Sequence, residues 1–81
     1  MTYYRIETHA AVLQVQKLSL TLPLFKVIHS EGSMEIYRNL TSGNWSTLFR
    51  SNPADQLSAF IIGPLIEQFY MQVILPAAQQ F

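Results

Sequence analysis

The sequence contains no cysteine and few charged residues. Without cysteine the chain has no disulfide, no thiolate metal site and no cysteine nucleophile. Only 12% of its 81 residues are charged, about half of the roughly 25% found in an ordinary globular protein. The fold must therefore be stabilised mainly by apolar packing, and a chain this short has a small stability margin.

Positive charge is also scarce. Five lysine and arginine residues balance five acidic ones, so the formal net charge is +0. Phosphate recognition needs clustered basic side chains, and here they are scattered, so we expect no nucleic-acid partner. The 49% hydrophobic content and the low charge argue against an intrinsically disordered chain. The basic residues are Arg5, Lys17, Lys26, Arg38 and Arg50.

Targeting and phosphate-binding motifs are missing as well. The first residues lack a basic start, a continuous apolar run and a small-residue cleavage site, so we expect no signal peptide and a cytoplasmic location. The three glycines are isolated and form no phosphate-binding loop. We therefore expect no nucleotide or other cofactor.

Candidate catalytic and metal-binding sets can be chosen, but none forms a motif. His29, Glu31 and Glu35 could be metal ligands, yet strand alternation places Glu35 on the face opposite His29, so we expect no metal site. His9 or His29 combined with Asp55 and a serine matches no hydrolase signature. We expect no catalytic residue, and we interpret Asp55 as a residue of a helix's first turn.

Strand signals dominate the first fifty residues. The clearest is the strict apolar/polar alternation of Leu18-Ser19-Leu20-Thr21-Leu22. Leu13 and Val15 alternate one step out of phase with it, which predicts a bulge or turn at Gln16-Lys17. Pro23 predicts a sheet edge or a break, and another strand segment follows it. Residues 2–12 favour a strand, although part of this segment also suits a helix.

Two turns organise the middle of the chain, Ser30-Glu31-Gly32-Ser33 and Thr41-Ser42-Gly43-Asn44. If both close two-residue loops, Val27 pairs with Ile36, and Leu40 pairs with Trp45. Because side chains alternate across a strand, this three-stranded meander has one apolar face. The predicted apolar face comprises Phe25, Val27, Met34, Ile36, Leu40, Trp45 and Phe49.

The last third of the chain has helical character. Asn52-Pro53-Ala54-Asp55 predicts a helix start, with a capping residue, a proline at the first position and an acid at the positive end of the dipole. Gly63-Pro64 predicts a kink or a break in the middle. Pro76 ends the segment.

These elements predict a single α+β domain over residues 1–81, mainly β in 1–50 and helical in 53–75, with a loose tail at 76–81. The fold class is an antiparallel β-meander of three to five strands. A C-terminal α-helix, kinked at Gly63-Pro64, packs on one face of that sheet.

The predicted helix is apolar on nearly every side, whereas a small sheet covers only one side of it. A second copy of the chain is the simplest cover for the rest. We therefore expect a non-enzymatic structural or protein-interaction module that acts as a homo-oligomer, with a dimer favoured, or as a small subunit of a complex. The predicted association residues are Ile62, Ile66, Phe69, Tyr70 and Val73, with Leu18, Leu20 and Leu22 as an edge-strand alternative.

Two other functions remain open at this point. A small apolar ligand could bind between sheet and helix near Gly63-Pro64. The protein could also associate peripherally with a membrane, whereas a membrane span is disfavoured by Glu67, Gln68 and Gln72 within the helical segment.

The segment from Phe25 to Tyr70 resembles a group of short bacterial proteins of unknown function. The shared features are a strand ending near Glu31-Gly32, then Glu35-Ile36-Tyr37 and Gly43-Asn44-Trp45, and a helix carrying Ile62-Gly63-Pro64-Leu65-Ile66-Glu67. The resemblance implies a small antiparallel sheet followed by one C-terminal helix. It implies no catalytic residue, because the group has no established activity.

Overall fold

The computed structural model describes residues 3–9 and 11–74, and the side chains as far as Gln72. Five strands are followed by one helix. The strands are β1 (Tyr4–Glu7), β2 (Val12–Lys17), β3 (Leu24–His29), β4 (Gly32–Arg38) and β5 (Trp45–Arg50), and the helix is α1 (Ala59–Phe69), which continues as a π-helical segment (Tyr70–Ile74). The predicted loose tail at 76–81 lies outside the described residues.

The strands form one antiparallel sheet in the order β1-β2-β3-β4-β5, so each strand pairs with its neighbour in sequence. Helix α1 packs against one face of this sheet, on β4 and β5. The predicted α+β meander with one C-terminal helix is confirmed. The strand preferred for residues 2–12 is also present, as β1 and the start of β2.

The core lies between α1 and the sheet. Strand alternation brings Leu13 and Val15 of β2 to the same face as the predicted β3 and β4 residues. Burying this face removes apolar side chains from water, which stabilises the fold by about 25 cal/mol for each Å² of apolar surface buried. The buried apolar residues are Ile6, Leu13, Val15, Phe25, Val27, Met34, Ile36, Ala59, Ile62 and Ile66.

Both predicted hairpins exist, but their registers are shifted by two residues. Val27 pairs with Met34 rather than with Ile36, because the first turn consists of Ser30-Glu31. An even shift keeps every side chain on its predicted face, since strands alternate with period two. The prediction for Phe25, Val27, Met34 and Ile36 is therefore confirmed.

Gly32 explains the position of the first turn. It opens β4 with φ +132°, a conformation that side-chain-bearing residues rarely adopt. A Cβ at this position would also lie 2.5 Å from Oγ of Ser51. Glycine is therefore needed at the first residue of β4 rather than inside the turn.

The prediction is wrong for Leu40 and Phe49. Trp45 pairs with Arg38, which leaves Leu40 in the β4–β5 connection, 65% exposed. A bulge then follows, because Ile36 pairs with Thr47 while Glu35 pairs with Phe49. The extra residue reverses the alternation and turns Phe49 to the other face, where it is 50% exposed.

The strand predicted over residues 18–22 is instead the connection between β2 and β3. Oγ of Ser19 accepts hydrogen bonds from the N–H groups of Thr21 and Leu22, at 3.2 and 3.0 Å. Nζ of Lys17 donates to the Leu22 carbonyl at 2.8 Å. These local bonds replace ladder bonds, so an alternating pattern here forms a loop.

The helix begins at Ala59 rather than near Pro53. Asn52 starts a turn instead, in which its Oδ1 accepts the N–H of Ala54 at 3.0 Å. Ser58 is extended, with φ −97° and ψ 127°, and occupies the N-cap position without a capping side-chain bond. Beyond Ala59 the helix passes through Gly63-Pro64 without interruption, so no break occurs there.

Candidate functional site

The predicted association residues on α1 mostly face inward. Ile62 and Ile66 are fully buried on the side of the helix that faces the sheet, so neither side chain is accessible to a partner in this fold. Phe69 and Tyr70 are half-buried and lie within 6 Å of the Tyr4 ring, at 5.9 and 5.8 Å between centroids. They pack against the core of the same chain. The side chain of Val73 lies outside the described part.

The alternative association residues are not on an edge strand. Leu18, Leu20 and Leu22 lie in the β2–β3 connection, where Leu20 is fully exposed and Leu22 is 48% exposed. They remain surface residues, but the connection has no free strand edge to offer a partner. The hydrophobic pattern alone could not distinguish an edge strand from a connecting loop, because it does not show whether a leucine is buried or exposed.

The surface of the helix turned away from the sheet, called the outer face, is mostly apolar and carries no charged residue. Phe60 is 72% exposed, Met71 60% and Ile61 47%. In the described part of the helical region the only charged residue is Glu67, and Oε2 of Glu67 is ion-paired with Nε of Arg38 at 2.8 Å. The outer face consists of Phe60, Ile61, Pro64, Gln68, Met71 and Gln72.

Gly63 sets the distance between α1 and β5. A Cβ built on Gly63 would overlap the ring of Trp45, so only glycine allows the helix to lie this close to the strand. The Trp45 ring thus fills the space where the sequence suggested a ligand pocket. Beside it, on the surface, lies an open depression of about 400 Å³ bounded by Phe60, Pro64 and Glu67.

A second, larger apolar groove lies beyond the β2–β3 and β4–β5 connections. Its volume is about 410 Å³, and its wall is mostly apolar. The residues that line it include Leu22, Leu24, Tyr37, Leu40 and Leu48. The groove is on the side of the sheet opposite α1, since Leu24 and Tyr37 alternate with buried residues.

The most polar buried feature is a histidine–aspartate pair. Nε2 of His29 lies 2.6 Å from Oδ2 of Asp55, and the two side chains are only 3% and 1% exposed. Oδ1 of Asp55 accepts the N–H of Leu57 at 2.9 Å. Nη1 of Arg50 lies 3.8 Å from the same oxygen and donates to the Asp55 carbonyl at 3.1 Å. The sequence-based interpretation of Asp55 as a residue of the helix's first turn is therefore wrong.

This pair fastens the β5–α1 connection to the β3–β4 hairpin. Three further bonds join the same elements. Nδ2 of Asn52 donates to the Glu31 carbonyl at 3.1 Å, Oγ of Ser51 accepts the Ser33 N–H at 2.9 Å, and the Ser51 N–H donates to the Ser33 carbonyl at 2.9 Å. Within the described residues, His29 is hydrogen-bonded to Asp55 and to no serine hydroxyl. The arrangement therefore holds the β5–α1 connection in place.

The Asp55 carboxyl has a shifted pKa. Burial acts to raise the pKa, but the hydrogen bonds from Leu57 and His29 and the charges of His29 and Arg50 together act more strongly in the other direction. The pKa of Asp55 therefore lies below its ordinary value. Glu31 also borders the pair, across a depression of about 470 Å³.

The shift predicts acid sensitivity. A carboxyl whose pKa is depressed by folding contributes stability that is complete above its unfolded value, about 3.9, and is lost as the pH falls through the lower folded value. We expect wild type to lose thermal stability below about pH 5, and Asp55→Asn to lose less. Thermal unfolding from pH 7 to pH 3 measures both; parallel curves for the two proteins would contradict the assignment to Asp55.

The described residues contain neither a cluster of metal-ligand side chains nor a helix that could span a membrane. Among residues 3–9 and 11–74, no three histidine or acidic side chains come together as metal ligands would. In the same residues, no helix has the length and apolar character needed to span a bilayer.

Comparison with known proteins identifies no relative. No family model matches the chain, and neither the curated proteins nor the solved structures contain a significant match. The small antiparallel sheet and the C-terminal helix that the resemblance to short bacterial proteins implies are both present. The comparisons assign the chain to no family.

Proposed function

We propose that this protein is a non-enzymatic interaction module that associates with a second copy of itself, and that the outer face of α1 is part of the contact. The observation that carries the proposal is the absence of charge on this face within the described helix. A solvent-facing helix side normally carries charged residues. Here it carries exposed Phe60, Ile61 and Met71.

Burial of these side chains supplies the driving force. Removing one large apolar side chain from water contributes about 1.5–3 kcal/mol. A contact with twofold symmetry buries each of them twice. A contiguous exposed apolar surface of this kind marks an interaction site, whereas single leucines scattered over a protein surface do not.

A second copy fits this surface better than a charged partner does. The chain has a formal net charge of +0, and Glu67 is already neutralised by Arg38. Two identical outer faces can therefore meet without like-charge repulsion. A strongly acidic or basic partner would find no complementary charge there.

Binding of a small apolar ligand is the second candidate function. The apolar groove lined by Leu24, Tyr37 and Leu48 favours it. This groove is an open surface depression, however, whereas ligand sites usually enclose most of the ligand. Self-association therefore has the stronger support.

Sedimentation velocity at micromolar concentrations tests the proposal. We expect wild type to sediment as a dimer, and Phe60→Glu to raise the dissociation constant at least tenfold, because a carboxylate replaces a buried ring at both positions. Tenfold corresponds to about 1.4 kcal/mol. The matched control is Leu20→Glu, which adds the same charge at a fully exposed leucine.

Phe60→Glu and Leu20→Glu also show which of two surfaces, the outer face of α1 or the β2–β3 connection, forms the contact. Weakening by Leu20→Glu alone would assign the contact to the β2–β3 connection instead of the helix. A wild-type monomer throughout the micromolar range would show that the self-association proposal is wrong.

A further inference from the structure

The outer face of α1 is too small to form a stable dimer alone. The helix with its π-helical segment spans residues 59–74, or about 24 Å at 1.5 Å per residue. A strip about 10 Å wide over this length covers about 240 Å² in each copy, or about 480 Å² in total. Specific interfaces bury at least about 1,000 Å². The proposed dimer therefore needs a second contact region beside the helix.

Strand β5 provides such a region, because it is an edge of the sheet. Within residues 3–9 and 11–74 no strand pairs with its outer side. Helix α1 lies directly above it, with Gly63 over Trp45. An edge strand presents free backbone donors and acceptors to another strand.

The hydrogen-bond pattern shows which groups point outward. The Asn39 N–H donates to the Asn44 carbonyl at 2.8 Å, so these two residues face each other in a hydrogen-bonded pair. Bonded and non-bonded pairs alternate along an antiparallel ladder. In the register of β4 and β5, the N–H and C=O groups of Trp45 and Thr47 therefore point away from β4, and those of Ser46 point towards it.

The other edge of the sheet is less suited to pairing. β1 has only four residues, and two of them, Arg5 and Glu7, form an exposed ion pair at 2.9 Å. Charged side chains and short strands are common protection against edge pairing. In β5 the only charged residue is Arg50, at the far end beside Asp55. The bulge at Leu48 leaves the first three residues of β5 regular.

We propose that two copies of this chain join by antiparallel pairing of their β5 strands, with the twofold axis at Ser46, to form one ten-stranded sheet. This inference rests on the proposed self-association. In this register Trp45 of each copy faces the partner's Thr47. Both residues point their backbone groups outward, so the two pairs supply four hydrogen bonds.

The same register brings the N-terminal halves of the two helices together. Adjacent strands lie about 4.8 Å apart, and α1 packs on β4 and β5. The N-terminal half of α1, where Gly63 lies over Trp45 of β5, is about one strand spacing from the axis, so these halves of the two helices lie about 10 Å apart. Packed helices are separated by 8–10 Å. The Phe60 and Pro64 sides would then meet above the joined strands.

Cysteine cross-linking tests the register, since the chain has no cysteine of its own. Ser46 lies on the axis in a non-hydrogen-bonded pair, for which the Cα–Cα distance is about 4.5 Å. This distance permits a disulfide. We expect Ser46→Cys to form a disulfide-linked dimer at least tenfold faster than Leu20→Cys under mild oxidation, on non-reducing gels.

Amide hydrogen exchange provides a readout that needs no substitution. We expect the Thr47 amide to be protected at least tenfold more at concentrations above the dissociation constant than below it. The control is the Arg5 amide, which points away from β2 because Thr8 and Ala11 form a hydrogen-bonded pair in the same ladder. Its protection should not change with concentration.

The outcomes separate this inference from the proposed function. A dimer in which Ser46→Cys cross-links no faster than Leu20→Cys, and in which Thr47 gains no protection, would overturn the β5 pairing while self-association stands. A monomer at all concentrations would overturn both.

Discussion

Replacing Asp55 with alanine is expected to lower the free energy of unfolding by about 3 kcal/mol, because it leaves two hydrogen-bonding partners of a buried carboxylate unsatisfied. His29 would lose its hydrogen bond at 2.6 Å, and the Leu57 N–H would lose its acceptor. An 81-residue domain has about 4–12 kcal/mol in total. Urea denaturation followed by the fluorescence of Trp45, the single tryptophan, measures the loss.

Two further variants test whether burial of the Asp55 carboxylate is the reason for the expected loss of stability. Glu7→Ala removes a carboxylate from a pair with Arg5 in which both side chains are more than two-thirds exposed, and we expect a change below about 0.5 kcal/mol. Asp55→Asn keeps an oxygen that can accept from Leu57, so its loss should be smaller than that of Asp55→Ala. An Asp55→Ala protein as stable as Glu7→Ala would contradict the fastening role of the pair.

Replacing Gly63 with alanine is expected to destabilise the protein by about 2 kcal/mol. On its own, alanine favours a helix over glycine by about 1 kcal/mol. Here the added methyl group would overlap the Trp45 ring, and overpacking costs about 1–3 kcal/mol or more. The helix must then move away from β5 or the ring must leave its place. Urea denaturation followed by far-ultraviolet circular dichroism measures the change.

A double-mutant cycle identifies the clash as the cause. In a Trp45→Leu background the space above β5 is larger, so we expect Gly63→Ala to be neutral or to stabilise by up to about 1 kcal/mol. Gln68→Ala, on the exposed side of α1, serves as the helical control and should change stability by less than about 0.5 kcal/mol. Equal effects of Gly63→Ala in both backgrounds would exclude contact with Trp45 as the reason.

The side-chain faces of β3 and β4 followed from local chemistry, but their register did not. Alternation has period two, so the predicted faces of Val27 and Met34 survive a two-residue shift. The shift itself depends on Gly32, whose place at the start of β4 is fixed by its φ and by Ser51, the residue after β5. That contact joins residues far apart in sequence, and no local pattern reveals it.

The helix start illustrates the same limit. Asn52-Pro53-Ala54-Asp55 has the composition of a helix N-terminus, and locally the prediction was reasonable. The carboxylate of Asp55 is instead bound by His29, 26 residues earlier in the chain. This tertiary bond holds residues 52–57 outside the helix, which begins only after the extended Ser58.

The candidate site was only partly visible in the sequence. The excess of apolar residues on the helix predicted a partner surface, but it could not show which side faces the sheet. Gly63 was the one available signal, since a glycine within a helix often marks close packing. Because Gly63 lies against Trp45, Ile62 and Ile66 are directed into the core, and Phe60 and Met71 are exposed.

The sequence by itself determined the fold class, the two hairpins, the inward faces of β3 and β4, and the scarcity of charge at the helical end. These properties depend on period, turn residues and composition, which are local. Only the tertiary structure decided the registers, the bulge in β5, the loop at 18–22, the His29–Asp55 pair and the outer face of α1. Each of these depends on which distant group occupies the adjacent space, and that is set by packing of the whole chain.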